Sequence, residues 1–435
     1  MNALEGRSAP ARCNCDDTMF RAKATNFARK SGQAWSYLDI HFPRQYAPDM
    51  QSLSCSAVVD GCAFHEWPSS ASLLDYMDEG WHELISPRQG ATAMSLRGVR
   101  MLSDPFRAPG GLMELRNGSA PVVPGSDYDA FERDILAQNA IERVVLGYDI
   151  GLQSTAIVHR YLARDVARAA NDWTVENWLA RDDRLYGMVL VSTAIPEDAA
   201  AEIRRVGVNE RMVAVALGCN GLGRPFGEPA YHPIFEAAEE LGLPIVIQVG
   251  SDIASDMPNP PVAGGLPSTY AEFRAHAPHT HWAHTTSLIA EGVFTRFPKL
   301  KALLVGGGAA WIPAWLWNVD YWYKMTAAAY PWVERLPSEY FLEHIRVSTH
   351  SLEQPPQPER LGKALGLIDG IDRVILYTSG YPDEDWETAG QIATRLPAEW
   401  HERVFRTNAE ELFRWPMRVT PPQEELVARD AAGGR

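Results

Sequence analysis

The sequence predicts an α/β fold closed as a distorted (β/α)8 barrel, and three observations carry that reading. Eight short apolar runs recur along the chain, several nearly continuous in valine, isoleucine and leucine, as strands buried on both faces must be. Helical patterns separate most of them, and sustained strand–helix alternation implies a parallel sheet. The chain has 435 residues, 46% hydrophobic and 22% charged. That is material for one large core, and eight strands suit a barrel with insertions better than an open sheet.

The elements follow in order. Residues 1–54 carry scattered basic residues (Arg21, Lys23, Arg29, Lys30) and little periodicity, which marks an N-terminal extension. The barrel spans 55–420. Its candidate strands are 57–64, 143–148, 185–191, 212–217, 243–249, 300–305, 344–348 and 373–379. A proline- and glycine-containing stretch, about 86–129, is an insertion after the first strand, a position that lies over the active-site face of such barrels. Residues 196–206 open on Pro-Glu-Asp, a helix-start signal. Residues 231–241 place Ile234, Phe235, Ala238 and Leu241 on one helical stripe. Residues 421–435 form a C-terminal tail.

Forty basic against 55 acidic side chains give a formal charge of −15. Such a surface repels phosphate backbones and anionic lipid, which argues against nucleic-acid and membrane partners. Five cysteines (Cys13, Cys15, Cys55, Cys62, Cys219) are too few for a disulfide framework and point to a reducing compartment. No secretory h-region is visible and no apolar run is long enough to span a bilayer. A soluble, cytoplasmic protein is expected.

Five segments resemble the amidohydrolase-related family typified by aminocarboxymuconate semialdehyde decarboxylase. They are Val58-Val-Asp-Gly-Cys-Ala-Phe-His-Glu-Trp-Pro-Ser with Leu73-Leu-Asp-Tyr-Met-Asp; the stretch from Arg224-Pro-Phe-Gly-Glu-Pro to Leu241-Gly-Leu-Pro; Ser287-Leu-Ile-Ala-Glu-Gly-Val-Phe running into Gly306-Gly-Gly-Ala-Ala-Trp-Ile-Pro; His344-Ile-Arg-Val-Ser-Thr; and Ile375-Leu-Tyr-Thr-Ser-Gly-Tyr-Pro-Asp-Glu-Asp. The resemblance implies a TIM barrel, chemistry on small carboxylates or amides, and a divalent metal at the C-terminal mouth. It also implies where the ligands belong. The family's first strand supplies His-x-His or Asp-x-His, and those positions fall on Cys62 and Phe64, with Asp60, Pro68 and Leu73-Leu74 in register. A one-residue slip would recruit His65, but alternation along a strand turns His65 away from the mouth. The fifth strand should end in histidine and ends in Gln248. The sixth should offer His or Glu before a Gly-Gly pair and offers Val305 or Gly306. The eighth should read Ser-Asp-Tyr-Pro-His, with the aspartate binding metal and taking the proton from bound water; Gly380 and Asp383 stand in its place. No metal cofactor is therefore expected, and without one water keeps a pKa of about 15.7 instead of about 7.

Other candidates are the histidine-rich segment 276–284, with His276, His279, His281 and His284 as a replacement metal site that Pro278 would interrupt as a helix; a clip of Cys13, Cys15, Cys55 and Cys62; Cys62 as a nucleophile served by His65 or Asp383; and Asp383 with Asp385 as an acid/base pair or a solvated turn. The aromatic stretch Trp311, Trp315, Trp317, Tyr321, Trp322, Tyr323, Tyr330 and Trp332 fits either a core face or an interface; in the family the corresponding helix helps to build a dimer. Together these features predict a catalytically inactive subunit that pairs with an active, metal-containing homologue in a hetero-oligomer. The alternative is a metal-independent or relocated-site hydrolase or decarboxylase using Cys62, His65, Gln248 and Asp383 at the same mouth. A ligand-binding sensor is a third possibility.

Overall fold

The structure, a computed structural model, describes residues 53–55, 57–85, 123–138, 140–149, 151–157, 159–218, 223–249, 269–383 and 385–415. The tail, nearly all of the N-terminal extension and most of the insertion lie outside these residues, as do Cys13, Cys15 and Cys219.

Eight parallel strands form one sheet in sequence order: β1 (Val58–Phe64), β2 (Ile141–Gly147), β3 (Leu185–Val191), β4 (Met212–Leu217), β5 (Ile245–Gln248), β6 (Ala302–Val305), β7 (Ile345–Ser348) and β8 (Ile375–Leu376). Each falls within or across one of the apolar runs. Ring closure comes from the chain that follows β8. Gly61 N donates to the Tyr377 carbonyl (2.9 Å), Gly380 N to the Cys62 carbonyl (3.2 Å) and Phe64 N to the Tyr381 carbonyl (2.6 Å). β8 is shorter than its apolar run because the run continues past the ladder into a buried turn at Thr378 and Ser379.

Five helices matter for the site. The first, α1 (Arg160–Thr174), buries Leu162, Val166, Ala170 and Trp173 against the barrel. The second, α2 (Pro196–Val206), has its proline and two acids in the first turn, where neither costs a hydrogen bond and the charges favour the dipole. Beyond β5, α3 (Tyr270–His276) and α4 (Pro278–Ala290) abut at Ala277. After β6 comes α5 (Ile312–Thr326). Pro278 therefore begins a helix instead of only breaking one, since a first-turn proline has no N–H to lose. No helix among the described residues is long and apolar enough to cross a membrane.

Candidate active site

The strand ends define the mouth, and alternation along β1 decides which of its side chains face it. Phe64 is fully buried, with its ring 5.6 Å from the His350 imidazole. Cys62 is also fully buried, and a Cβ on Gly147 would stand 2.9 Å from its sulfur. Burial first, then Asp60 and Asp383, push the Cys62 thiol well up, which disfavours the thiolate that a nucleophile needs. His65 does not belong to the mouth. Its Nδ1 donates to the Gly147 carbonyl (2.8 Å), which leaves Nε2 to accept from the Thr174 hydroxyl on α1 (2.8 Å). Its ring lies against Trp173 and Trp178 outside the barrel. Burial lowers His65 to about 4, keeping it neutral. The placing of His65 among the mouth residues is thus corrected: one step along a strand reverses the face.

Asp60 is the hinge pin of the closure. Its Oδ1 accepts from Ser379 N (2.9 Å) and Cys62 N (3.1 Å), tying the start of the post-β8 turn to β1. Burial raises it to about 6, opposed by the hydrogen bonds from Ser379 and Cys62. Gln248 is buried at the end of β5, level with Val305. Gly306 follows β6 and donates its N–H to Ser348 Oγ (3.3 Å).

The decisive position is Gly380. Its φ of +67° lies in the left-handed region. A Cβ there would stand 2.2 Å from His350 Cδ2 and 2.6 Å from its Cγ and Nε2. The space that an eighth-strand aspartate would need is filled by the imidazole of His350, two residues past β7. At the positions that the resemblance assigns to ligands, Phe64 and Gly380 offer no donor atom.

The mouth nevertheless gathers another set of donors. His350 Nε2 lies 3.2 Å from Asp385 Oδ1 and 3.3 Å from Asp383 Oδ2. Asp385 Oδ2 accepts from Ser351 Oγ (3.0 Å) and is paired with Arg274 of α3. Burial works against charge on His350, yet Asp383 and Asp385 hold it up at about 9. Burial likewise opposes charge on Asp385, and His350, then Arg274, keep it well below the usual carboxylate range. Asp385 is therefore tied into a part-buried network with His350, Ser351 and Arg274 instead of standing in a free, solvated turn. One donor atom each from His350, Asp383 and Asp385 lies within 4.8 Å of the others, the one such set among the described residues. The expectation that no metal cofactor is present is thus left without support, since this set could hold an ion. A cleft of about 360 Å³ beside it is lined by Arg274, Pro278, Gly307, Ser351 and Asp385.

His350 and Arg274 were not singled out from sequence. A histidine just beyond a barrel strand is the signal that could have found the first of them. The four histidines of 276–284 do not converge. His281 packs under Gly307, where a Cβ would stand 2.1 Å from its ring. His284 accepts from Phe226 N (3.2 Å). His276 and His279 face each other near the surface. Cys55 is a buried free thiol that donates to the Ala57 carbonyl (2.8 Å).

The aromatic stretch divides. Trp311 and Trp315 are buried, whereas Trp317, Tyr321 and Trp322 are 56–58% exposed, with Met325 and Trp332 exposed beside them.

Comparison with known proteins agrees with the barrel. The amidohydrolase family model matches residues 125–415. Gamma-resorcylate decarboxylase of Rhodococcus jostii is 27% identical over 73% of this chain and 99% of its own length. The 5-carboxyvanillate decarboxylase of Sphingomonas paucimobilis superimposes with a TM-score of 0.57 at 20% identity, over 83% of this chain and 99% of that one. A dihydroxybenzoic acid decarboxylase of Polaromonas, with bound manganese and 2-nitroresorcinol, gives 0.55 at 18% identity over 83% and 97%. With the family model covering about two thirds of the sequence, the chain belongs to the amidohydrolase family.

Proposed function

We propose that this chain is a catalytically silent amidohydrolase barrel that supports a metal-bearing homologue acting on a small carboxylate or amide. The observation that carries the reading is the His350 imidazole in the volume that a side chain at residue 380 would need. Relatives named as decarboxylases of aromatic acids supply the substrate class. The exposed face of Trp317, Tyr321 and Trp322 supplies a surface of the composition that interfaces favour. Two-fold interfaces are inherited by both copies after duplication, so a silent paralogue keeps the means to pair with an active one. The test is co-expression with a metal-competent family member followed by size exclusion. Co-elution, with the homologue losing activity or stability when separated, supports the reading. Separate elution with the homologue fully active alone sinks it.

The His350–Asp383–Asp385 set favours a second reading, a hydrolase or decarboxylase with a relocated site at the same mouth. Turnover by the chain alone that is lost in His350→Ala would select it over the first.

A further inference from the structure

We infer that His350, Asp383 and Asp385 form a divalent transition-metal site of their own, at positions distinct from those of the family's metal. The spacing is the first argument. A charge-assisted N–H···O hydrogen bond is about 2.7–2.9 Å long. His350 Nε2 stands 3.2 and 3.3 Å from its two carboxylate partners. Two donors bound to one tetrahedral cation at about 2.0–2.2 Å lie roughly 3.3–3.5 Å apart, close to both His350–carboxylate separations, and the three donor atoms together lie within 4.8 Å of one another. The proton count is the second. Nε2 carries at most one proton, and two carboxylates converge on it; a dication between the three atoms satisfies both. The third is the outer support. Asp385 turns Oδ1 inward while Arg274 and Ser351 hold Oδ2, the arrangement that orients a ligating carboxylate. His350 itself is nearly completely buried, so its ring cannot swing out to solvent. One imidazole with two carboxylates suits zinc or manganese better than calcium, which prefers an all-oxygen shell. The cation fastens the turns after β7 and β8 to α3 through Asp385.

The experiment uses the full chain without a polyhistidine tag, stripped with EDTA, incubated with zinc chloride or manganese chloride alone, desalted and analysed by elemental mass spectrometry. Wild type is expected to retain about one equivalent of one of the two metals, with a metal-dependent rise in melting temperature. His350→Gln and Asp383→Asn are each expected to retain at least tenfold less, with no rise, while His276→Ala/His279→Ala keeps the metal. Wild-type retention no higher than that of Asp383→Asn, no rise in wild-type melting, or loss in the His276/His279 variant instead, overturns the inference. It stands apart from both functional readings. Bound metal without turnover leaves the silent-subunit reading in place, bound metal with turnover removes only that reading, and absence of metal removes only this inference.

Discussion

Gly380→Asp restores the residue type that the family motif places there and should destabilise the barrel. The new Cβ would lie 2.2 Å from His350 Cδ2, so the imidazole must leave its place. Asp383 and Asp385 keep 22% and 30% of their side-chain surface exposed, so losing His350 from the set costs less than the roughly 3–5 kcal/mol of a fully buried pair, about 2–3 kcal/mol. Holding a residue with a side chain in the left-handed region adds roughly 1–2 kcal/mol, toward the low end for aspartate. The total, about 3–5 kcal/mol, is a large part of the roughly 5–15 kcal/mol that holds a domain folded. Urea unfolding followed by tryptophan fluorescence reads it directly. On a His350→Ala background the clash is gone, and Gly380→Asp should cost only about 1–2 kcal/mol more. A single variant within about 1 kcal/mol of wild type, or the same full cost on both backgrounds, would refute the placement of His350 in that volume.

Three further outcomes are expected. His65, His281 and His284 are lowered by burial to about 4, 3 and 4; the unfolded chain takes up protons below about pH 6.5 while the folded one resists until pH 3–4, so stability falls as pH drops through that window, by up to about 1.4 kcal/mol per pH unit per histidine. Asp60, raised to about 6, works oppositely below pH 6 and offsets about one of the three, so melting temperature should still fall steadily from pH 6.5 to 4.5; a flat profile contradicts their burial. Trp317→Ser/Trp322→Ser should leave the melting temperature of the isolated chain nearly unchanged but weaken association with a family homologue at least tenfold, measured by analytical ultracentrifugation. Cys62 should resist iodoacetamide at pH 8 in the folded protein and react on unfolding, as peptide mass mapping would show; rapid native labelling would restore it as a candidate nucleophile.

Much of the barrel was legible because strands buried on both faces leave runs such as Leu185–Val191 and Met212–Leu217 that nothing else in the chain imitates. Alternation within one strand was equally readable, and it is why His65 faces α1 while Phe64 faces His350. The rebuilt mouth was not legible. Arg274 meets Asp385 across 111 residues and His350 meets it across 35, and those meetings depend on the paths of turns that no local pattern encodes. The Asp-Glu-Asp turn at 383–385 reads as solvated by composition; only the buried imidazole beside it changes its chemistry. Pro278 misled for a different reason, since the same residue that ends a helix is also well suited to start one.

Silence of the mouth toward the family's reaction is tested most directly by carbon dioxide release from 2,6-dihydroxybenzoate and 5-carboxyvanillate, using the purified chain alone after incubation with zinc or manganese. The expected result is release indistinguishable from a protein-free blank with either metal, while a metal-competent homologue turns over under the same conditions. Release proportional to the concentration of this chain, and lost in His350→Ala, would contradict it.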